Sequence, residues 1–231
     1  MDFSRFDPKW TLFEDDTIVV VNKPPGLPSQ PTRDPNRPNL YTLMTQAFPY
    51  VALMHRLDRD TTGLMIFSKD KKANTALGDA FKERRVEKTY LALVSTNPER
   101  RTVGETWIRK SYLKPVHRLA SSKTLEVTSG GDYAESSFVL VSWDEKNGRG
   151  RGVVEINPKT GRMHQVRVHL AAEGMPILGD SVYGAETKPN PVKRVMLHAW
   201  KLALPHPVSK VIVRFEAPVP GDFLKLAHLS E

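Results

Sequence analysis

Short apolar runs broken by proline, glycine and charge dominate the chain, and their spacing predicts more strand than helix. Thr17 to Asn22 (Thr-Ile-Val-Val-Val-Asn) is β-branched and stops at Lys23-Pro24-Pro25-Gly26, so it reads as a buried strand entering a rigid turn. Pro28, Pro31, Pro35 and Pro38 then keep the chain extended or looping. A short helix is predicted over Leu40 to Ala47 and a strand over Leu64 to Phe67. Ala73, Ala76, Leu77, Ala80 and Phe81 recur at helical spacing and predict a helix from Lys71 to Arg85, with cations near its C-terminal end. Thr89 to Val94 is a further strand, and Phe138 to Trp143 with Val153 to Ile156 forms a hairpin around Asp144-Glu145-Lys146-Asn147-Gly148. Met163 to Glu173 reads two ways. Val166, Val168 and Leu170 alternate like a strand, while Gly174 and Pro176 form a helix stop, and helix is the reading adopted. Val211 to Phe215 gives the last strand. The mixed order of elements, with no internal repeat, predicts an α+β fold around a largely antiparallel sheet.

Composition sharpens this picture only in part. With 39% hydrophobic and 26% charged residues, the 231-residue chain has the balance of a globular protein and is expected to form one folded unit. No apolar run approaches a membrane span, and the acidic start lacks a secretory leader, so the cytoplasm is the default expectation. Zero cysteines exclude disulfides, thiolate metal sites and a cysteine nucleophile. A formal charge of +8 points to an anionic partner. Glu99 to Thr128 concentrates it, with seven basic residues (Arg100, Arg101, Arg109, Lys110, Lys114, Arg118, Lys123) against three acidic ones, interleaved with Trp107, Tyr112 and His117. Rings among cations suit both bases and phosphates, and equally a solvated surface with anchoring rings.

Two polar clusters could carry chemistry. In His55-Arg56-Leu57-Asp58-Arg59-Asp60-Thr61-Thr62-Gly63, Asp58 lies between two arginines that favour an ionised carboxylate, the form a covalent nucleophile requires. Local composition alone favours an exposed, charged turn. The second cluster runs from Thr160 to Leu170. On a helix its Arg167 shares a face with His164, Ala171 and Gly174, and a buried arginine there needs a carboxylate partner, for which Asp58 is a candidate. His164 and His169, five apart, fit one helix face poorly as metal ligands, so no metal site is expected.

Three ordered segments carry a family resemblance. Val20 to Pro28, His55 to Gly63 and Thr160 to Leu170 resemble the three sequence blocks of RluA-type pseudouridine synthases. The match continues through Gly174 to Asp180, Tyr183-Gly184, Leu197 to Ala199 and His206-Pro207. The resemblance implies the pseudouridine synthase catalytic fold, a largely antiparallel mixed sheet flanked by helices and loops with a central RNA-binding cleft. It implies one catalytic domain over residues 1–231 without an N-terminal S4 module, the basic segment 99–128 forming a peripheral insertion. Carried over by position, the catalytic aspartate is Asp58, its basic partner Arg167 and the aromatic residue beneath the target base Tyr90. His55, Arg56, Arg162, Thr62 and Lys23 are implied to contact substrate. Lys82, Arg84, Arg85, Arg109, Lys110 and Arg118 are candidates for the RNA backbone.

The implied reaction converts uridine to pseudouridine in structured RNA, ribosomal or transfer. The N-glycosidic bond breaks, uracil turns over and C5 rejoins the ribose, with no net change of atoms. No cofactor is implied, and neither a G-x-G-x-x-G fingerprint nor a P-loop is present. A monomer without an obligate protein partner is expected. Two positions depart from the family pattern: Thr61-Thr62-Gly63 replaces the common T-S-G, hydroxyl for hydroxyl, and Asp132 stands where a basic residue is usual. Two other readings compete, an RNA-binding scaffold without chemistry and a phosphoester hydrolase using His55, Asp58 and a metal.

Overall fold

The computed structural model describes residues 3–96, 100–118, 121–146, 149–184 and 192–227. In chain order the main elements are β1 (Thr11–Glu14), β2 (Ile18–Lys23), α1 (Leu40–Ala47), β3 (Ala52–Leu53), β4 (Thr62–Ser68), α2 (Ala73–Lys82) and β5 (Glu87–Val94). Then follow β6 (Thr106–Arg118), β7 (Ser121–Val127), β8 (Asp132–Lys146), β9 (Arg149–Pro158), α3 (Gln165–Ala172), β10 (Leu197–Pro205), β11 (Ile212–Glu216) and α4 (Gly221–Ala227). The architecture is α+β and its strand pairings are mostly antiparallel, as the mixed order of elements predicts. Among the described residues no helix is long and apolar enough to cross a membrane. Backbone contacts divide the chain into two compact units, Met1–Lys88 with His198–Val219 and Thr89–Leu197 with Pro220–Glu231.

In the first unit β4 is the central strand and is buried along its whole length. It pairs antiparallel with β2 and β3 and parallel with β10 through His198↔Thr62 and Ala199↔Gly63. Such burial explains why both β2 and β4 read as continuous apolar runs instead of alternating ones. Ile18, Val20, Leu64 and Ile66 pack with Ala73, Leu77 and Ala80 of α2 and with Leu202, Leu204 and Ala217. Gly63 permits the parallel pairing. Its φ is +108°, and a Cβ there would lie 2.2 Å from the Ala199 carbonyl oxygen. α1 starts at Asn39, whose side chain accepts the Thr42 N–H (3.0 Å).

α2 is shorter than the periodicity suggests. Arg84 takes φ +59° just beyond it. The N–H groups of Arg84 and Arg85 then return to the carbonyls of Phe81 (3.2 Å) and Ala80 (2.8 Å), the closing pattern usually built on glycine.

The second unit is an antiparallel sheet in the order β5-β9-β8-β6-β7. The expected hairpin is there as β8 and β9, with Phe138 opposite Ile156, while Asn147 and Gly148 of its turn lie outside the described residues. The basic segment, read from sequence without secondary structure, forms β6 and β7. α3 packs against this sheet, where Val168 meets Leu113, Ala134 and Tyr183. It starts after His164, which takes φ +56°, and ends at Gly174, φ +70°, whose N–H bonds the Ala171 carbonyl (3.0 Å). All residues from Gln165 to Leu170 are buried, so the helix shows no polar face. That explains why its apolar positions read equally well as a strand.

Candidate active site

Asp58 sits in the loop between β3 and β4, half-buried, in a backbone pinned on either side. On the N-terminal side, the buried Ser29 hydroxyl accepts the Leu57 N–H (3.0 Å) and donates to the Leu57 carbonyl (2.7 Å). On the other, the fully buried Lys23 ammonium donates to the carbonyls of Arg59 (2.8 Å), Pro24 (2.8 Å) and Leu27 (2.9 Å). These carbonyls supply an acceptor for each of its three N–H donors. Lys23 thus braces the backbone of the loop that carries Asp58. The turn that brings Lys23 and Ser29 to the loop depends on Gly26, φ +81°. Thr61 closes the loop by donating its N–H to the Asp58 carbonyl (3.2 Å).

The flanking residues have distinct roles. Arg59 forks onto Asp60 through Nε (3.1 Å) and Nη2 (3.0 Å). Arg56 is exposed. His55 turns inward, stacked on Phe81 at 5.1 Å, and its Nε2 accepts the Ile66 N–H (3.1 Å). That N–H falls between the stretches of β4 paired with β10 and with β3, so the imidazole completes the strand's hydrogen bonding. Burial, with the nearby Lys88 charge, pushes His55 down to about 3, and the ring stays neutral. These contacts give His55 a bracing role at the start of the loop. Thr62 is likewise buried, its Oγ1 2.9 Å from Nδ1 of the buried His198.

In the second unit Arg167 is gripped by Asp180, through Nε to Oδ2 (2.7 Å) and Nη2 to Oδ1 (2.9 Å), with both side chains buried. Asp180 Oδ1 also accepts the N–H groups of Val182 (3.0 Å) and Tyr183 (3.1 Å). Burial alone would raise this carboxyl. Arg167 and the two N–H groups outweigh it and hold Asp180 below the usual carboxylate range. The Arg167 guanidinium lies 5.1 Å from the Tyr183 ring centre.

The rest of α3 is fixed by its polar residues. Gln165 donates to the Glu135 carbonyl (2.9 Å) and Ser136 Oγ (2.9 Å), and accepts from Thr160 (2.6 Å) and the Arg162 N–H (3.0 Å). His169 spans Ser111 (3.0 Å) and Ser136 (3.1 Å), and burial with the Arg109 charge pushes it down to about 4. Tyr90 lies half-buried on β5, opposite Ile156.

Residues 17–172 match the family model described as RNA pseudouridylate synthase. The chain is 34% identical to ribosomal large subunit pseudouridine synthase D of Nitrosomonas europaea, over 93% of this chain and 63% of that protein. Its identity to the dual-specificity RNA pseudouridine synthase RluA of Vibrio vulnificus is also 34%, over 87% of this chain and 80% of that one. Among solved structures, human RNA pseudouridylate synthase domain containing 1 superposes with a TM-score of 0.74 at 26% identity, covering 90% of this chain and 82% of that one. The chain belongs to the RluA family of pseudouridine synthases.

The cations expected to meet RNA fall into three groups in this synthase. Lys82, Arg84 and Arg85 are exposed at the end of α2, with Arg85 bonded to Glu83 (2.7 Å). Lys110 is exposed on β6, 3.9 Å from Glu135. Arg109 is instead held in ion pairs with Glu173 (2.6 Å) and Glu126 (2.9 Å). Arg118 ends β6, and its side chain, like that of His117, lies outside the described residues. Arg162 is exposed, donates to the Tyr133 carbonyl (3.1 Å) and lies 4.0 Å from Asp132, so the unusual acid faces a cation of the same unit. Among the described residues no group of three or more histidine and acidic side chains could hold a metal. Sequence reasoning assigned no role to Ser29, Gln165, Asp180, Tyr183 or His198. For Asp180 a signal existed, since a buried arginine requires a carboxylate.

Proposed function

We propose that this synthase isomerises uridine in ribosomal or transfer RNA, with Asp58 as the nucleophile, Arg167 as its cationic partner and Tyr90 as the ring beneath the target base. The observation that carries the reading is the mounting of Asp58. Its backbone is fixed on both sides by buried Ser29 and Lys23, while its own side chain is only half-buried. A reacting group held at a set position by rigid neighbours is what positional catalysis requires. Support for Arg167 comes from its planar guanidinium, oriented by Asp180 and Tyr183 and suited to a second carboxylate.

In the proposed reaction the uridine leaves its stack at a cost of about a few kcal/mol. The N1–C1′ bond breaks, the uracil turns, and a C5–C1′ bond forms while C5 loses its proton and N1 gains one. Arg56 and Arg162, exposed in the two units, are proposed to hold the nucleotide's surroundings, and Lys82, Arg84, Arg85 and Lys110 the RNA backbone.

The test is tritium release from RNA labelled at C5 of uridine, using unmodified ribosomal and transfer RNA transcripts in the presence of a chelator. Release by the wild type that drops to background in Asp58→Asn is the expected result. RNA bound by folded protein without release would assign the fold to binding alone. Release that vanishes only in chelator would favour a metal-dependent reaction.

A further inference from the structure

Tyr183 joins two parts of the second unit. Its ring supports the Arg167 guanidinium at 5.1 Å, and its N–H bonds Asp180, the carboxylate that grips the same arginine. Its hydroxyl accepts the Thr124 N–H (2.6 Å) and meets His164 Nδ1 (2.9 Å). Thr124 is buried on β7, the outer strand of the basic hairpin formed with β6. The outward N–H of an edge strand needs a partner, and the Tyr183 hydroxyl supplies it. Lys123, next in the strand, lies 5.5 Å from the same ring, and Lys110 and Lys114 are exposed on β6.

We infer that Tyr183 is a positioning residue with two separable tasks: its ring sets Arg167, and its hydroxyl docks the β6–β7 hairpin on which RNA is seated. The two tasks meet in one rigid side chain, so the hairpin and the arginine are held in a common frame. This inference rests on the proposed role of Arg167 in the isomerisation.

Substitutions separate the tasks. Tyr183→Phe keeps the ring and removes the hydroxyl, so KM for the labelled transcripts should rise roughly fivefold with kcat little changed, as for one lost hydrogen bond. Thr124→Pro removes the N–H at the other end of that bond and sets a ring carbon against the Tyr183 hydroxyl, so it should undock the hairpin and raise KM at least as much as Tyr183→Phe, with kcat little changed. Tyr183→Met keeps bulk without a π face, so kcat should fall roughly tenfold or more. Thermal melting identifies any variant that fails to fold, and Thr124→Pro and Tyr183→Phe each test the hairpin task without the other.

Equal effects of Tyr183→Phe and Tyr183→Met on kcat, or no effect of either on kcat and KM, would overturn the inference. Asp58→Asn, assayed alongside, separates it from the parent reading. If Asp58→Asn retains release, the nucleophile assignment fails whatever Tyr183 does. If the wild type itself releases nothing, filter binding of the same transcripts decides the hairpin task, and an unchanged Kd for Tyr183→Phe and Thr124→Pro overturns it.

Discussion

His55 acts in this fold as an uncharged acceptor, and that has a thermodynamic consequence. Burial is the main reason that it is pushed down to about 3 and His169 to about 4. In the unfolded chain each would titrate near about 6.5. Depressed folded values mean that the unfolded chain takes up protons first as the solution is acidified. The stability these neutral rings contribute is therefore complete above about pH 6.5 and lost progressively as pH falls toward about 3. The melting temperature should descend through that window. His55→Gln retains a possible acceptor for the Ile66 N–H without titrating, and should flatten part of the descent while lowering stability at neutral pH. An unaltered pH slope would place the acid sensitivity on other groups. At this scale the sequence exposed needs more clearly than partners. Arg167 visibly required a carboxylate, but Asp180, thirteen residues away, is brought onto it by the turn after α3.

Single elements show where local pattern was sufficient and where it was not. β2 and α1 were legible because a β-branched run and a well-capped helix need little beyond their own residues. β6 and β7 were not. Their alternation is carried by lysine, arginine, serine and threonine, and only pairing with β8 and contact with α3 reveal which face is inward. Gly63 belongs to the junction of β4 and β10, where the pairing leaves no room for a side chain. Gly63→Ala must accommodate both a positive φ and a Cβ 2.2 Å from a backbone oxygen. Chemical denaturation should show a loss of at least about 2 kcal/mol. A near-wild-type midpoint would mean that β10 can move away from β4 at little cost. Gly78, with nothing near its Cβ position, is the comparison at which alanine should be tolerated.

At the scale of the whole molecule, a formal charge of +8 draws the synthase to RNA, but the charge is unevenly available. Arg101 and Arg109 are bound to Glu105, Glu173 and Glu126 within the second unit. Lys82, Arg84, Arg85 and Lys110 face solvent. Replacing each of these four by glutamine should reduce the magnitude of the salt slope of RNA binding by up to about one. Arg109→Gln should instead lower the melting temperature and leave the slope almost unchanged. A slope insensitive to all four exposed cations would move the RNA-binding surface elsewhere on the molecule.

The sequence by itself determined the α+β class, the order of the principal elements, the family and the three blocks that carry the candidate chemistry. Those properties reside in local patterns: apolar runs, turn residues, and motifs whose spacing along the chain is itself the signal. Only tertiary structure decided that Lys23 and His55 brace the Asp58 loop, that Arg59 forks onto Asp60, that Arg109 is paired internally, and that Asp180 and Tyr183 hold Arg167. Charge and hydrogen-bonding capacity can be read from a residue's identity. Which partner satisfies them depends on distance and burial, and these are fixed when segments remote in the chain pack together.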